Sequence, residues 1–145
     1  MRDRGGLSGY LLSGYEALRG HEGRIQPPRR NPKDYDLVLI GTPTWAASLA
    51  SPVRTYLDRY AAVLPEVGFF VTCGGGGSER VLEQMQSIAG KMPLAALTLS
   101  ERDLQRHASV YVGEFLEKAL TAWEAQKARL LEFPRLRNRA SFGVM

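Results

Sequence analysis

The sequence predicts an α/β fold in which helices cover both faces of a parallel sheet. Short apolar runs alternate with segments whose apolar residues recur at helical spacing, and the order of elements reads α-β-α-β-α-β-α. A chain that returns to the same sheet after each helix forms parallel strands through right-handed crossovers. The 145 residues fit one domain with a buried core. We interpret residues 1–33 as a helix and connector, 34–131 as the α/β core and 132–145 as a basic tail.

The first segment, Leu7–Arg19, places its apolar residues on one face of a helix, although Gly9 and Gly14 disfavour helix formation. Residues 20–36 are rich in Gly and Pro, which is typical of a connector. Three apolar runs follow, each short enough to be a strand buried on both faces. The predicted strands are Leu37–Ile40, Val67–Thr72 and Leu94–Leu99.

Helices are predicted between and after these strands. Ser51 is expected to be the N-cap of the first, with Pro52 in its first turn. Ser78 is expected to cap the second, which Gly90 ends. A long helix runs from about Ser109 to about Leu131. We expect it to cover the face opposite the other two through Phe115, Leu116 and Trp123. These belong to its apolar stripe, which consists of Val112, Phe115, Leu116, Ala119, Leu120 and Trp123.

The net charge of +4 belongs to the ends of the chain. Residues 1–33 have seven basic and three acidic side chains, and residues 124–145 have five basic and two acidic ones. In contrast, residues 34–123 have seven basic and ten acidic side chains. No stacking aromatics are interleaved with the terminal arginines, so we expect no nucleic-acid partner. No apolar run is long enough to span a bilayer. Cys73 is the single cysteine of the sequence, so an internal disulfide is excluded. We therefore expect a cytoplasmic protein without a membrane partner.

Two unusual segments follow the first two strands. Residues 41–50 carry the hydroxyls of Thr42 and Thr44, a bend at Pro43 and the ring of Trp45. Four successive glycines, Gly74–Gly77, follow Cys73 in the second segment. Ligands of an open parallel sheet bind beyond the carboxyl ends of its strands, where both segments are expected to lie as loops.

A Trp ring can stack on a planar ligand, and glycines let backbone N–H groups approach a ligand edge. Trp45 could instead fold back onto the core, and Gly74–Gly77 could be a simple strand-to-helix turn. Their position at one sheet edge favours a slot for a flat heterocycle with polar edges.

The stretches DYDLVLIGTPTW, SPVRTYL and GFFVTCGGGG resemble the flavodoxin family over about Asp34 to Asp103. That family has a doubly wound sheet, binds FMN non-covalently and transfers one or two electrons. The resemblance implies that one isoalloxazine loop consists of Thr42, Pro43, Thr44, Trp45 and Ala46. It implies that the second contains Cys73, Gly74, Gly75 and Gly76.

The family begins with a strand and a phosphate loop of the pattern T/S-x-T-G-x-T, and this sequence contains no such pattern. The resemblance therefore implies a three-layer flavodoxin-like sheet that is N-terminally truncated, or a first strand encoded upstream of Met1. The phosphate of FMN would lack its usual anchor at a helix N-terminus. Leu37–Ile40 would become an apolar edge strand, which invites pairing with another chain, so a homodimer is expected.

Two functions follow from the resemblance. The first is an FMN-binding redox or electron-transfer protein with an incomplete flavin site, whose partner is a redox protein or a small-molecule electron acceptor. The alternative is a structural or interaction module of the same fold that binds no flavin. No acid, base or nucleophile is identified, and flavin chemistry needs none from the protein. His21 and His107 lack the spacing of metal ligands, so no metal site is predicted.

Overall fold

Three parallel strands make up most of the sheet, as the sequence predicted. The computed structural model describes residues 25–132, and within them the strands are β1 (Leu37–Trp45), β2 (Ser48–Leu49), β3 (Glu66–Cys73) and β4 (Ala95–Ser100). They form one sheet of order β2-β1-β3-β4. β1, β3 and β4 are mutually parallel, whereas β2 runs antiparallel to the end of β1.

β1 is longer than predicted. Residues 41–50 were expected to form a loop, but Gly41, Thr42 and Pro43 continue the parallel pairing with β3. Glu66 N–H donates to the carbonyl of Asp36 at 3.3 Å, so the backbone groups of even-numbered residues point towards β3. The missing N–H of Pro43 therefore lies on the opposite edge, and proline removes no bond from the β1–β3 ladder.

Helices of the described residues cover both faces, which confirms the three-layer architecture. The long C-terminal helix was predicted nearly to its bounds. A six-residue helix before it was not predicted. The helices are α1 (Ser51–Tyr60), α2 (Ser78–Ala89), α3 (Glu101–Arg106) and α4 (Ala108–Glu132), with 3₁₀ turns at Pro32–Asp34 and Ala61–Val63. None of these helices has both the length and the apolar character needed to cross a membrane.

The predicted N-caps are wrong by one residue. Ala50 occupies the N-cap position of α1, and Gly77 that of α2, so Ser51 and Ser78 are the first helical residues. Neither helix start has a hydrogen bond from a capping side chain. Gly90 ends α2 in the left-handed region, with φ 63°, as predicted.

The main core lies between the sheet and the α1–α2 layer. Val67, Phe69 and Val71 alternate along β3 and are fully buried against this layer. Full burial of such a side chain contributes about 1.5–3 kcal/mol. The helix residues with no exposed surface in this core are Leu57, Val81 and Met85.

On the opposite face, α4 packs chiefly against β4. Phe115 and Ala119 are buried there, and the Phe115 ring meets Phe70 edge-on with centroids 6.1 Å apart. The prediction that Leu116 packs on the sheet is wrong, since its side chain is 39% exposed. Leu120, in the same stripe, is 50% exposed. Because α4 lies towards β4, only one side of its apolar stripe meets the sheet. The predicted helix of residues 7–19 and the predicted tail beyond residue 132 lie outside the described residues.

Candidate functional site

The carboxyl end of β1 turns back through a two-residue hairpin. Trp45 pairs with Ser48, and the linking residues Ala46 and Ala47 have φ values of 51° and 53°. A hairpin turn with positive φ at both linking residues favours Asn-Gly, not alanine. The left-handed conformation costs an alanine about 1–2 kcal/mol. Strain of this kind is concentrated at ligand-binding sites, where surrounding contacts hold it in place.

Hydrogen bonds fix the returning strand of the hairpin. Leu49 N–H donates to Oε1 of Gln84 at 3.0 Å, and Nη2 of Arg54 donates to the same oxygen at 3.4 Å. Ala50 N–H donates to Oγ1 of Thr42 at 3.4 Å. These bonds tie β2 to α1, α2 and β1. Sequence reasoning missed Gln84, because a single glutamine on a helix carries no motif that would mark it.

The glycine loop after β3 is open. Gly74, Gly75 and Gly76 are exposed, and a Cβ atom added to any of them would meet no atom within 4 Å. None of the three has a positive φ. The described fold therefore demands glycine at none of these positions. Three bare backbone units are instead available for close approach by a ligand.

Gly77 brings the hairpin and the glycine loop together. Its φ is 98°, and an added Cβ would lie 2.5 Å from Cβ of Ala47. No larger residue fits there unless the hairpin moves. The hairpin tip and the glycine loop therefore meet at the carboxyl edge of the sheet. We call Trp45–Ala47 together with Cys73–Gly77 the carboxyl rim.

The predicted site residues divide between the rim and the interior. Thr42 is buried, and its hydroxyl donates to the carbonyl of Pro43 at 3.0 Å, so the expectation of a loop hydroxyl at Thr42 is wrong. Oγ1 of Thr44 is buried too, without a hydrogen-bond partner in the described part of the chain. Alternation along β1 turns both threonines towards the α1–α2 layer and Pro43 and Trp45 towards the other face.

In addition to the glycines, three predicted site residues lie on the carboxyl rim. Trp45 is half-buried at the end of β1, Ala46 is exposed at the hairpin tip, and Cys73 is half-buried at the end of β3. The rim thus offers one large aromatic ring and a stretch of exposed backbone. Sequence reasoning missed Ala47 as a rim residue, since alanine gives no turn signal.

A third connection at the same edge is rigid. Ser100 ends β4 and caps α3: its hydroxyl and its N–H both donate to Oδ2 of Asp103, at 2.6 Å and 2.8 Å. These hydrogen bonds hold the pKa of the Asp103 carboxyl below its ordinary value, and the bond from the Ser100 hydroxyl has the largest effect. Sequence reasoning missed this cap, although Ser-x-x-Asp is a signal for it.

The second tryptophan lies at the opposite edge of the sheet. Trp123 lines a cleft with Tyr35, Asp36 and Glu66, and Nζ of Lys127 lies 4.8 Å from its ring centroid. Within residues 25–132, no group of three or more His, Cys, Asp or Glu side chains could hold a metal ion.

A scan against protein-family models gives no match, and neither does a search of curated proteins. Among solved structures, the chain is similar to a flavoprotein from Lactobacillus acidophilus NCFM, crystallised in complex with FMN. The identity is 22%, the TM-score is 0.52, and the match covers 69% of this chain and 68% of that chain.

The NMR structure of the apo-form of the flavoprotein from the same organism matches with 24% identity and a TM-score of 0.41, over 56% of this chain and 54% of that one. Similarity to the crystal structure at 22% identity shows the fold. The described part of the chain therefore has a flavodoxin-like α/β fold.

Proposed function

We propose that this chain binds the isoalloxazine ring of a flavin, FMN, at the carboxyl rim and serves in electron transfer. The observation that carries the proposal is the contact between Ala47 and Gly77. That contact joins a strained hairpin bearing Trp45 to an exposed glycine loop, at the sheet edge where ligands of parallel α/β folds bind.

The rim residues fit a planar ring with polar edges. Trp45 supplies an aromatic surface for stacking, and Gly74–Gly76 leave the backbone open to hydrogen bonding with the ring edge. Thr44 has a hydroxyl whose hydrogen-bonding capacity the described fold leaves unused. Because that oxygen is buried, it reaches a ligand only if the hairpin shifts. The FMN complex of the structurally similar flavoprotein supports the same ligand class.

A bound flavin supplies one- or two-electron chemistry at its isoalloxazine ring. The chain's own task is then to hold and orient the ring and to limit water at its inner face. Trp45 and the backbone of the glycine loop perform that task in our proposal. A redox protein or a small-molecule acceptor exchanges electrons at the exposed side of the rim.

The proposed flavin site is incomplete within this sequence. No T/S-x-T-G-x-T pattern occurs in residues 1–145, so the FMN phosphate lacks the ring of backbone donors that such a loop provides. Binding therefore depends on the ring contacts, and we expect it to be weak. A basic side chain close to the glycine loop, Arg80, is the candidate for a partial substitute.

Matched tryptophan variants test the proposal. Trp45→Ala should weaken flavin binding, measured as quenching of flavin fluorescence, by about fivefold or more, since base–aromatic stacking contributes about 1–3 kcal/mol. Trp123→Ala should leave the affinity unchanged, because Trp123 lies at the opposite edge of the sheet. Equal affinities of both variants and the unmodified chain would place the flavin elsewhere.

The outer edge of β1, which residues 25–132 leave unpaired beyond β2, favours a second candidate function, an interaction module that binds no flavin. The purified protein separates the two candidates. Flavin absorbance that remains with the protein, or that titrates onto it, supports the first candidate. A colourless protein that quenches neither FMN nor riboflavin supports the second.

A further inference from the structure

The outer edge of β1 is unpaired over most of its length within the described residues. β2 covers only Thr44 and Trp45. Since the carbonyl of Asp36 points towards β3, the alternation of a strand turns the backbone groups of Leu37, Leu39 and Gly41 away from it. Three N–H donors and three C=O acceptors therefore line this edge.

This edge lacks the devices that usually keep strands from pairing. Residues 37–53 contain no charged side chain, and Leu39 is 37% exposed. Edge strands are commonly protected by lysine, by inward-pointing charge or by proline. Pro43 follows Leu37–Gly41, the segment without a strand partner on this edge, and it has no N–H. It therefore ends the stretch that can pair with another strand but does not prevent Leu37–Gly41 from pairing.

Apolar surface lies on the same face of the sheet as Leu39. A Cβ atom added to Gly68 would lie 2.6 Å from Cδ2 of Leu39 and 3.2 Å from Cζ of Phe115, so these two side chains meet above β3. Beyond Phe115, α4 leaves three apolar side chains 38–50% exposed. Leu39 and these residues form what we call the open face, the helix members being Val112, Leu116 and Leu120.

We propose that a second copy of this chain pairs with the outer edge of β1, antiparallel and about a two-fold axis through Leu39. Leu39 then exchanges two hydrogen bonds with Leu39 of the other copy, and Leu37 does so with Gly41. Such an axis is perpendicular to the sheet. It therefore brings the two open faces together on one side of a continuous sheet and keeps both carboxyl rims clear of the pairing.

A second copy suits this edge better than the chain's own N-terminal segment. The apolar spacing of residues 7–19 is that of a helix, and a helix satisfies its own backbone groups. A helix could cover the open face but could not pair with the backbone of β1. The edge of another β1 offers matching donors and acceptors together with matching apolar side chains.

The first test is the mass of the full chain by light scattering at micromolar concentration. We expect a dimer. Leu39→Lys places a charge on the pairing edge and should shift the protein to monomer, whereas Met92→Lys, at a 74% exposed position after α2, should leave the dimer intact. A monomeric unmodified chain, or a folded Leu39→Lys variant that dimerises equally well, would overturn the proposal.

The second test needs no variant. Amide exchange of Leu37, Leu39 and Gly41 should slow as the concentration of the full chain rises, because these N–H groups become hydrogen-bonded in the dimer. Exchange of Val38 and Ile40, whose N–H groups point towards β3, serves as the internal control and should change less. Exchange at the three outer amides that does not depend on concentration would exclude pairing through this edge, whatever the flavin affinity proves to be.

Discussion

At the scale of single residues, Thr44 and Thr55 show opposite uses of a buried hydroxyl. Thr55 donates to the carbonyl of Ser51 at 3.0 Å and is 1% exposed. Oγ1 of Thr44 is buried without a partner among the described residues. A buried polar group that makes no hydrogen bond destabilises a fold by about 1–3 kcal/mol. The Thr44 hydroxyl therefore lowers the stability of the described fold, at a position next to the rim that we propose to bind flavin.

The same substitution should therefore have opposite effects at these two positions. Thr44→Val removes an unsatisfied hydroxyl and should raise the free energy of unfolding by about 1 kcal/mol. Thr55→Val removes a hydrogen bond and should lower it by about 0.5–1.5 kcal/mol. Urea unfolding of both variants measures the difference. A loss of stability at both positions would show that Thr44 already has a partner.

Asp103 gives the acid dependence of α3. Its hydrogen bonds from Ser100 lower its pKa in the folded state relative to the unfolded chain, so the carboxylate contributes stability above the unfolded pKa. That contribution is lost as the pH falls through the folded pKa. Ser100→Ala should return the pKa of Asp103 towards its ordinary value, as read by NMR titration of the carboxyl carbon. An unchanged titration curve in the variant would show that the cap does not act on this carboxyl.

At the scale of elements, the strands and long helices were predictable because their signals are long. Leu37–Ile40 and Val67–Thr72 are continuous apolar runs, and both lie in parallel strands. The hairpin after β1 could not be predicted in this way. Its turn uses Ala46 and Ala47, whereas the recognisable signal for such a turn is Asn-Gly.

The candidate site was predictable in position more than in detail. Trp45 and the glycines stand out in the sequence, and the rule for parallel sheets places them at one edge. The burial of Thr42 and of the Thr44 hydroxyl follows from β1 continuing past Ile40, which no local propensity indicates. The prediction for Leu116 was wrong because an apolar stripe identifies the apolar face of a helix but does not show whether a neighbouring element covers that face.

The contact between the two rim segments predicts that a change at Ala47 partly restores the stability lost by a change at Gly77. Gly77→Ala adds a Cβ 2.5 Å from Cβ of Ala47 at a φ of 98° and should lower the free energy of unfolding by about 1–3 kcal/mol. Ala47→Gly removes the nearer clashing atom, although Cα of residue 47 stays 2.9 Å from the added Cβ, and it relieves a left-handed alanine. The double variant should therefore be more stable than the sum of the two single effects predicts, as measured by urea unfolding. Strictly additive effects would show that the two segments do not touch.

At the scale of the whole molecule, the described part of the chain has two surfaces for which we propose different partners. The carboxyl rim presents an aromatic ring and bare backbone, which suit a planar ligand. The outer edge of β1 and the open face present a strand and apolar side chains, which suit a second protein chain. Because these surfaces use different residues, flavin binding and self-association should vary independently. Leu39→Lys should leave flavin affinity unchanged, and Trp45→Ala should leave the dimer intact.

The flavin site that we propose holds the ring and has no phosphate loop within residues 1–145. Charge-assisted hydrogen bonds to a phosphate contribute about 1.5–3 kcal/mol each, so a full set would favour FMN over riboflavin by several powers of ten. Ring contacts at Trp45 and Gly74–Gly76 are common to both ligands. The two affinities for residues 1–145 should therefore be similar.

The decisive measurement is parallel titration of FMN and riboflavin with the full 145-residue chain, followed by quenching of flavin fluorescence. We predict that both flavins are quenched and that their dissociation constants agree within about tenfold, a difference below about 1.4 kcal/mol. Absence of quenching by either flavin would contradict the ring site. Tight binding of FMN alone would contradict the missing anchor and would reveal a phosphate site within this chain.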